Sequence, residues 1–262
     1  QDTCIDVIPI AFVDSFSGGI PDLNLGNESS FLHAVFPKLN LCAFLAAGIA
    51  ACQAKGKLVT LSLGGGGTTT ARFASNADAI SFADTIWNDF LGGTAGAHRP
   101  FGAAVLDGVD LDIESGTDTG YAAFVTRIRT NWAGASKPYY ITAAPQCPYP
   151  DAWVGTALNS VWFDAVHVQF YKKIMNSGLN SYPSSNWNYA TWDYWATHYA
   201  LNPNVKIFIG APASTTAANA GEYVSASTLG SIALATRAGY SQHFGGVMLW
   251  YALSFVTVQI QT

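Results

Sequence analysis

Apolar runs bounded by glycine, proline or polar residues recur seven times along the chain, at residues 5–12, 58–63, 109–113, 139–144, 165–170, 206–211 and 246–250. Each has the length and apolar content of a buried strand. Between most of them lie patterns with helical spacing, at residues 41–55, 77–91, 121–132, 189–199 and 228–238. Strands alternating with helices indicate βαβ units on a parallel sheet. The repeat of about 30 to 50 residues per unit predicts an α/β fold, a (β/α)8 barrel of the TIM type, as one domain over residues 1–262. Seven runs are one short of eight. Either a strand preceding Gln1 is absent from this chain, or the alternation at residues 255–260 fills the place. The first explanation is preferred, because a strand following Trp250 without a crossover could hardly lie parallel to it.

One of the seven runs is unlike the others. From Val109 the apolar residues Val109, Leu111 and Ile113 fall on odd positions and the acids Asp110, Asp112 and Glu114 on even ones, with Asp107 just before them. Alternation of period two puts the acids on one face of a strand. Asp112 and Glu114 are then about 6.6 Å apart along it, and Asp110 lies one step deeper. An EF-hand needs a Gly six positions in and a Glu at the twelfth, which this pattern lacks. Burying several carboxylates costs several kcal/mol each unless they share protons or hydrogen bonds. The column therefore points to proton handling.

Charge narrows the choice of partner. Only 11% of the residues are charged and the net charge is −5, so no basic surface suits nucleic acid or an acidic membrane. No apolar stretch approaches the roughly 18 residues of a membrane span. Aromatic residues at 13% suit stacking on sugar rings and suit a filled core equally. Four cysteines (Cys4, Cys42, Cys52, Cys147), an Asn-Glu-Ser sequon at Asn27 and only twelve Lys plus Arg lean toward a secreted protein. A soluble monomer, extracellular or in a cell wall, is expected. None of the cysteines has zinc-ribbon spacing, and His33, His98, His167, His198 and His243 show no ligand pair, so neither a metal nor another cofactor is expected.

In a barrel the chemistry sits at the C-terminal ends of the strands. There the chain offers Ser62-Leu63-Gly64-Gly65-Gly66-Gly67, Pro145-Gln146, Gln169 running into Tyr171, and Trp250-Tyr251. The glycine run lacks the Gly-Lys-Ser/Thr ending of a phosphate loop, and Thr60 stands where a nucleophile elbow wants glycine. Trp192, Trp195 and Tyr199 share a helical face and are expected in the core. Trp187 and Tyr182 could equally line a cleft.

Asp107, Asp110, Asp112 and Glu114 match the DxxDxDxE signature of family 18 glycoside hydrolases, and the chain resembles the class III, hevamine-type fungal chitinases of that family. The likeness also takes in Ser62-Leu63-Gly64-Gly65, the segment from Thr142 to Pro148, Val168-Gln169-Phe170-Tyr171 and Gly246-Val247-Met248-Leu249-Trp250. The resemblance implies an endochitinase acting on chitin or chitooligosaccharides by substrate-assisted retention, an exception to the usual two-carboxylate scheme. Glu114 would be the general acid and base. The substrate's N-acetyl oxygen would be the nucleophile, giving an oxazolinium ion, with Asp112 holding the acetamide nitrogen. Asp110 would hold or share a proton with Asp112, and Tyr171 would donate to the acetamide carbonyl. Gln169, Trp250, Gly64, Gly65, Ala143 and Phe12 would line the sugar subsites. A general acid works best with its pKa raised toward the operating pH, so activity is expected at acidic pH.

The family's first strand, ending in an aromatic, has no counterpart in this chain. Lys172-Lys173 stand where relatives commonly have Asn, and of the family's disulfides only Cys4 with Cys52 is implied. Two other readings remain open: an endo-β-N-acetylglucosaminidase cutting N-glycan chitobiose cores with the same machinery, and an inactive chitinase-like lectin or inhibitor.

Overall fold

The computed structural model describes residues 4–16, 21–25, 42–67, 70–94, 98–171, 178–184, 186–219 and 221–251. The chain forms two compact units, Gln1–Ile141 and Thr142–Thr262, with the boundary inside a strand.

The first unit contains β1 (Val7–Ser15), the two-residue β2 (Asp22–Leu23), α1 (Ala46–Ala54), β3 (Leu58–Gly64), α2 (Asn76–Phe90), β4 (Gly108–Asp112), α3 (Tyr121–Asn131) and the start of β5 (Tyr140–Ala143). β1, β3 and β4 pair in parallel, with Val7 opposite Leu58 and Ser62 opposite Asp110, while β2 runs antiparallel to the end of β1. The second unit holds the end of β5, α4 (Gly155–Leu158), β6 (Ala165–Gln169), α5 (Tyr189–His198), β7 (Lys206–Pro212), α6 (Ala226–Gly239) and β8 (Phe244–Trp250). Its strands also pair in parallel, each with the next in sequence.

All seven expected strands and all five expected helices are therefore present. β1 runs three residues beyond its expected end, because Val13 still pairs with both Leu63 and Leu23 although polar Asp14 and Ser15 break the apolar run. Among the described residues the parallel strands number seven, and the added strand is β2. The alternation at residues 255–260, the sequon at Asn27, His33 and Lys172-Lys173 lie outside the described residues.

Every residue of β4 and β6 is buried, whereas β8 is half-exposed along its length. Helix starts are specified locally. Ser75 accepts from the Asp78 amide at 3.2 Å and Asp78 accepts from the Ala74 amide at 2.9 Å, a reciprocal cap on α2. The first unit's core centres on Phe73, which stacks on Phe16 at 4.9 Å and on Phe124 at 5.8 Å. In the second, Trp192 and Trp195 are buried edge to face. Tyr199 departs from its expected place in the core: it is 54% exposed, because it caps α5 with φ −123° and leaves the helical path.

Candidate active site

The site residues of the first unit converge at the ends of β3 and β4. Asp110 is 3% exposed, and its Oδ2 accepts from Ser62 Oγ at 2.7 Å. The two face each other because parallel register sets Ser62 opposite Asp110 and Gly64 opposite Asp112. Asp112, 8% exposed, is the last residue of β4, and its carbonyl accepts from the Gly65 amide at 2.7 Å.

Glycine is required here for space. Gly64 has φ +110°, and a Cβ on it would collide with the Asp112 carbonyl. A Cβ on Gly65 would come within 2.7 Å of the Phe12 ring, and one on Gly66 within 3.3 Å of Glu114 Oε2. The bare glycine backbone thus carries Phe12 on one residue and the half-buried Glu114 carboxyl on the next. Phe12, Gly64, Gly65, Asp110, Asp112 and Glu114 all lie within this unit.

Asp107 does not join the column. Its odd position places it on the face of Val109 and Leu111, and it lies at the opposite end of β4 from Asp112. Its Oδ2 accepts from Gln53 Nε2 and from the Val59 amide, both at 2.8 Å, and its Oδ1 from Lys137 Nζ at 2.7 Å. It ties α1, β3 and Lys137 together. Burial, and after it the Asp107 carboxylate, push the nearby Tyr139 phenol up from its ordinary pKa, while Arg99 acts in the opposite direction.

The second unit carries the remaining candidates, again at strand ends. Ala143 is buried in β5. Gln169, 0% exposed, ends β6; its Nε2 donates to the Ala144 carbonyl at 2.9 Å and its amide to the Pro145 carbonyl at 2.8 Å. Tyr171 is buried two residues further on. Trp250 ends β8, with its ring 5.0 Å from that of Tyr251 and its carbonyl accepting from the Ala213 amide at 2.6 Å. Trp187 packs on Phe170 at 4.5 Å and on Tyr189 at 6.1 Å, with Tyr182 edge-on. Phe170 and Tyr189 are both buried, so Trp187 packs on the scaffold.

Cys52 is a free thiol, so the Cys4–Cys52 bridge is not formed here. Cys4 is exposed before β1 while Cys52 is held within α1. Among the described residues no group of three or more His, Cys, Asp or Glu side chains is placed to hold a metal ion, and no helix is long and apolar enough to cross a membrane.

Comparison with known proteins accounts for this arrangement. Residues 6–238 match the family described as glycosyl hydrolases family 18, and the chain belongs to that family. It is 44% identical to "Chitinase 2" of Rhizopus oligosporus across 95% of this chain and 44% of that protein. The chain spans about half the length of the first curated relatives it matches. Among solved structures it is similar to a chitinase from Ipomoea carnea, with 33% identity and a TM-score of 0.76 over 94% of this chain and 85% of that one. It is also similar to a xylanase and α-amylase inhibitor protein from Scadoxus multiflorus, with 31% identity and a TM-score of 0.76 over 93% and 83% of the two chains. The family and these neighbours give the fold class as the (β/α)8 barrel.

Proposed function

We propose that this chain is an endochitinase that hydrolyses β-1,4-linked N-acetylglucosamine polymers with retention of configuration, working outside the cell or at the cell wall. The observation that carries the reading is the column Asp110, Asp112, Glu114, with the deepest acid buried and held by Ser62. Glu114, half-buried over bare glycine backbone, is free of a neighbouring Cβ on that side, which suits a group that must reach a substrate oxygen. It protonates the glycosidic oxygen and later takes a proton from water. The acetamide oxygen of the substrate attacks the anomeric carbon, and its placement by Asp112 and Tyr171 supplies proximity in place of an enzyme nucleophile. Asp112 holds the acetamide nitrogen and balances the oxazolinium charge, and Asp110 shares a proton or hydrogen bond with it. Phe12, Gly64, Gly65, Ala143, Gln169 and Trp250 contact the sugars around the scissile bond.

The test is hydrolysis of chitotetraose and chitopentaose between about pH 3 and 8, with product anomers followed by NMR. Initial release of the β-anomer, with no turnover of oligomers lacking the N-acetyl group, is the expected result. Release of the α-anomer, or binding without turnover, overturns it. Binding without turnover would favour the inactive lectin or inhibitor reading; turnover confined to N-glycan cores would favour the endo-β-N-acetylglucosaminidase.

A further inference from the structure

We propose that Asp14 is a specificity-determining residue that makes this cleft prefer partially deacetylated chitin, by placing a carboxylate beside a subsite that takes a cationic glucosamine unit. The assignment rests on the chitinase reading above. Val13 is fully buried, and the register of β1 shifts on either side of it, against β3 between Ala11 and Val13 and against β2 between Val13 and Ser15. Phe12 lies against Gly65, and the next glycine faces Glu114. Asn24 is the cross-strand partner of Phe12, with the two backbones exchanging hydrogen bonds at 3.0 and 2.9 Å. The Asn24 side-chain Nδ2 donates to Asp14 Oδ2 at 2.9 Å. Phe12, Asn24 and Asp14 therefore make one continuous rim, joined at Phe12 to the glycine backbone that faces Glu114.

Among the described residues no Lys, Arg or His forms an ion pair with Asp14. The amide of Asn24 takes up part of its acceptor capacity, and an ionised carboxylate offers about four lone-pair sites. An acetamide N–H meeting this group gains a hydrogen bond assisted by one charge, whereas the ammonium of glucosamine gains one with both partners charged and adds the attraction of an ion pair. The chain's net charge of −5 adds attraction for a cationic polymer, and salt weakens it.

The test compares kcat/KM on a partially deacetylated chitosan oligomer with that on fully acetylated chitin of the same length, at low and high salt. Asp14→Asn should lower the ratio of the two by about three- to fivefold, the effect of an exposed ion pair, and flatten its salt dependence. Asp14→Glu keeps the charge and should restore most of the ratio. A ratio that Asp14→Asn leaves unaltered while chitin is still hydrolysed overturns the assignment. If the unsubstituted chain hydrolyses neither oligomer, the chitinase reading falls and the assignment with it.

Discussion

Ser62 Oγ and Asp110 Oδ2 are 2.7 Å apart, so a hydroxyl from one strand satisfies the deepest acid of its neighbour. A buried carboxylate deprived of a donor loses about 1–3 kcal/mol of stabilisation. Ser62→Ala should therefore lower kcat on chitotetraose by about tenfold or more while KM changes little, since Ser62 is buried against Asp110. Equal loss in kcat and gain in KM would argue against a positioning role.

Glu114→Gln keeps the shape of the side chain and removes the proton. Hydrolysis should fall by at least about a hundredfold, the usual worth of a positioned general acid, with chitooligosaccharide binding retained by calorimetry. Undiminished turnover would remove Glu114 from the mechanism.

Asp107→Ala tests the opposite end of β4. It removes acceptors from Gln53, the Val59 amide and Lys137 together, and leaves a partly buried ammonium unpaired. Unfolding in urea should show a loss of about 2–4 kcal/mol. A variant as stable as the parent would mean that Asp107 is not the clamp described.

Asp84 links α2 to α3, accepting from Arg127 Nε at 2.7 Å and Nη2 at 3.0 Å and from Asn131 at 2.7 Å. The Arg127 hydrogen bond holds its carboxyl below the usual value, against a smaller opposing effect of burial. A depressed folded pKa contributes stability above the unfolded value near about 4. That contribution disappears as pH falls through the folded value. Asp84→Asn should lower the melting temperature slightly at neutral pH, and the difference should vanish in strong acid. A difference that persists there would exclude ionisation as its source.

Strands and helices were legible because each carries its own periodicity, as in the alternation of Val109 to Glu114 and the three-to-four spacing of α2. Asp110 and Asp112 were legible for the same reason, since parity places them on one face of β4, whereas Glu114 stands two residues beyond the strand. Trp187 was not, because its neighbour Phe170 faces the scaffold and only packing shows the ring following it. Asp14 and Asn24 were missed because the polar pair after Val13 ended the apolar run, and their contact depends on the antiparallel β2. Tyr199 matched the helical stripe but fell one residue beyond the last turn.

By itself the sequence determined the order of elements, the acid column and the glycines beside it, because strand parity and backbone sterics act over a few residues. Only the tertiary structure decided which side chains meet across strands. The pairing of Ser62 with Asp110, the separation of Asp107 into a clamp on Gln53 and Lys137, and the rim of Phe12, Asn24 and Asp14 depend on register between distant segments. Register is set by the burial of whole strand faces, a property of the folded sheet that no single segment carries.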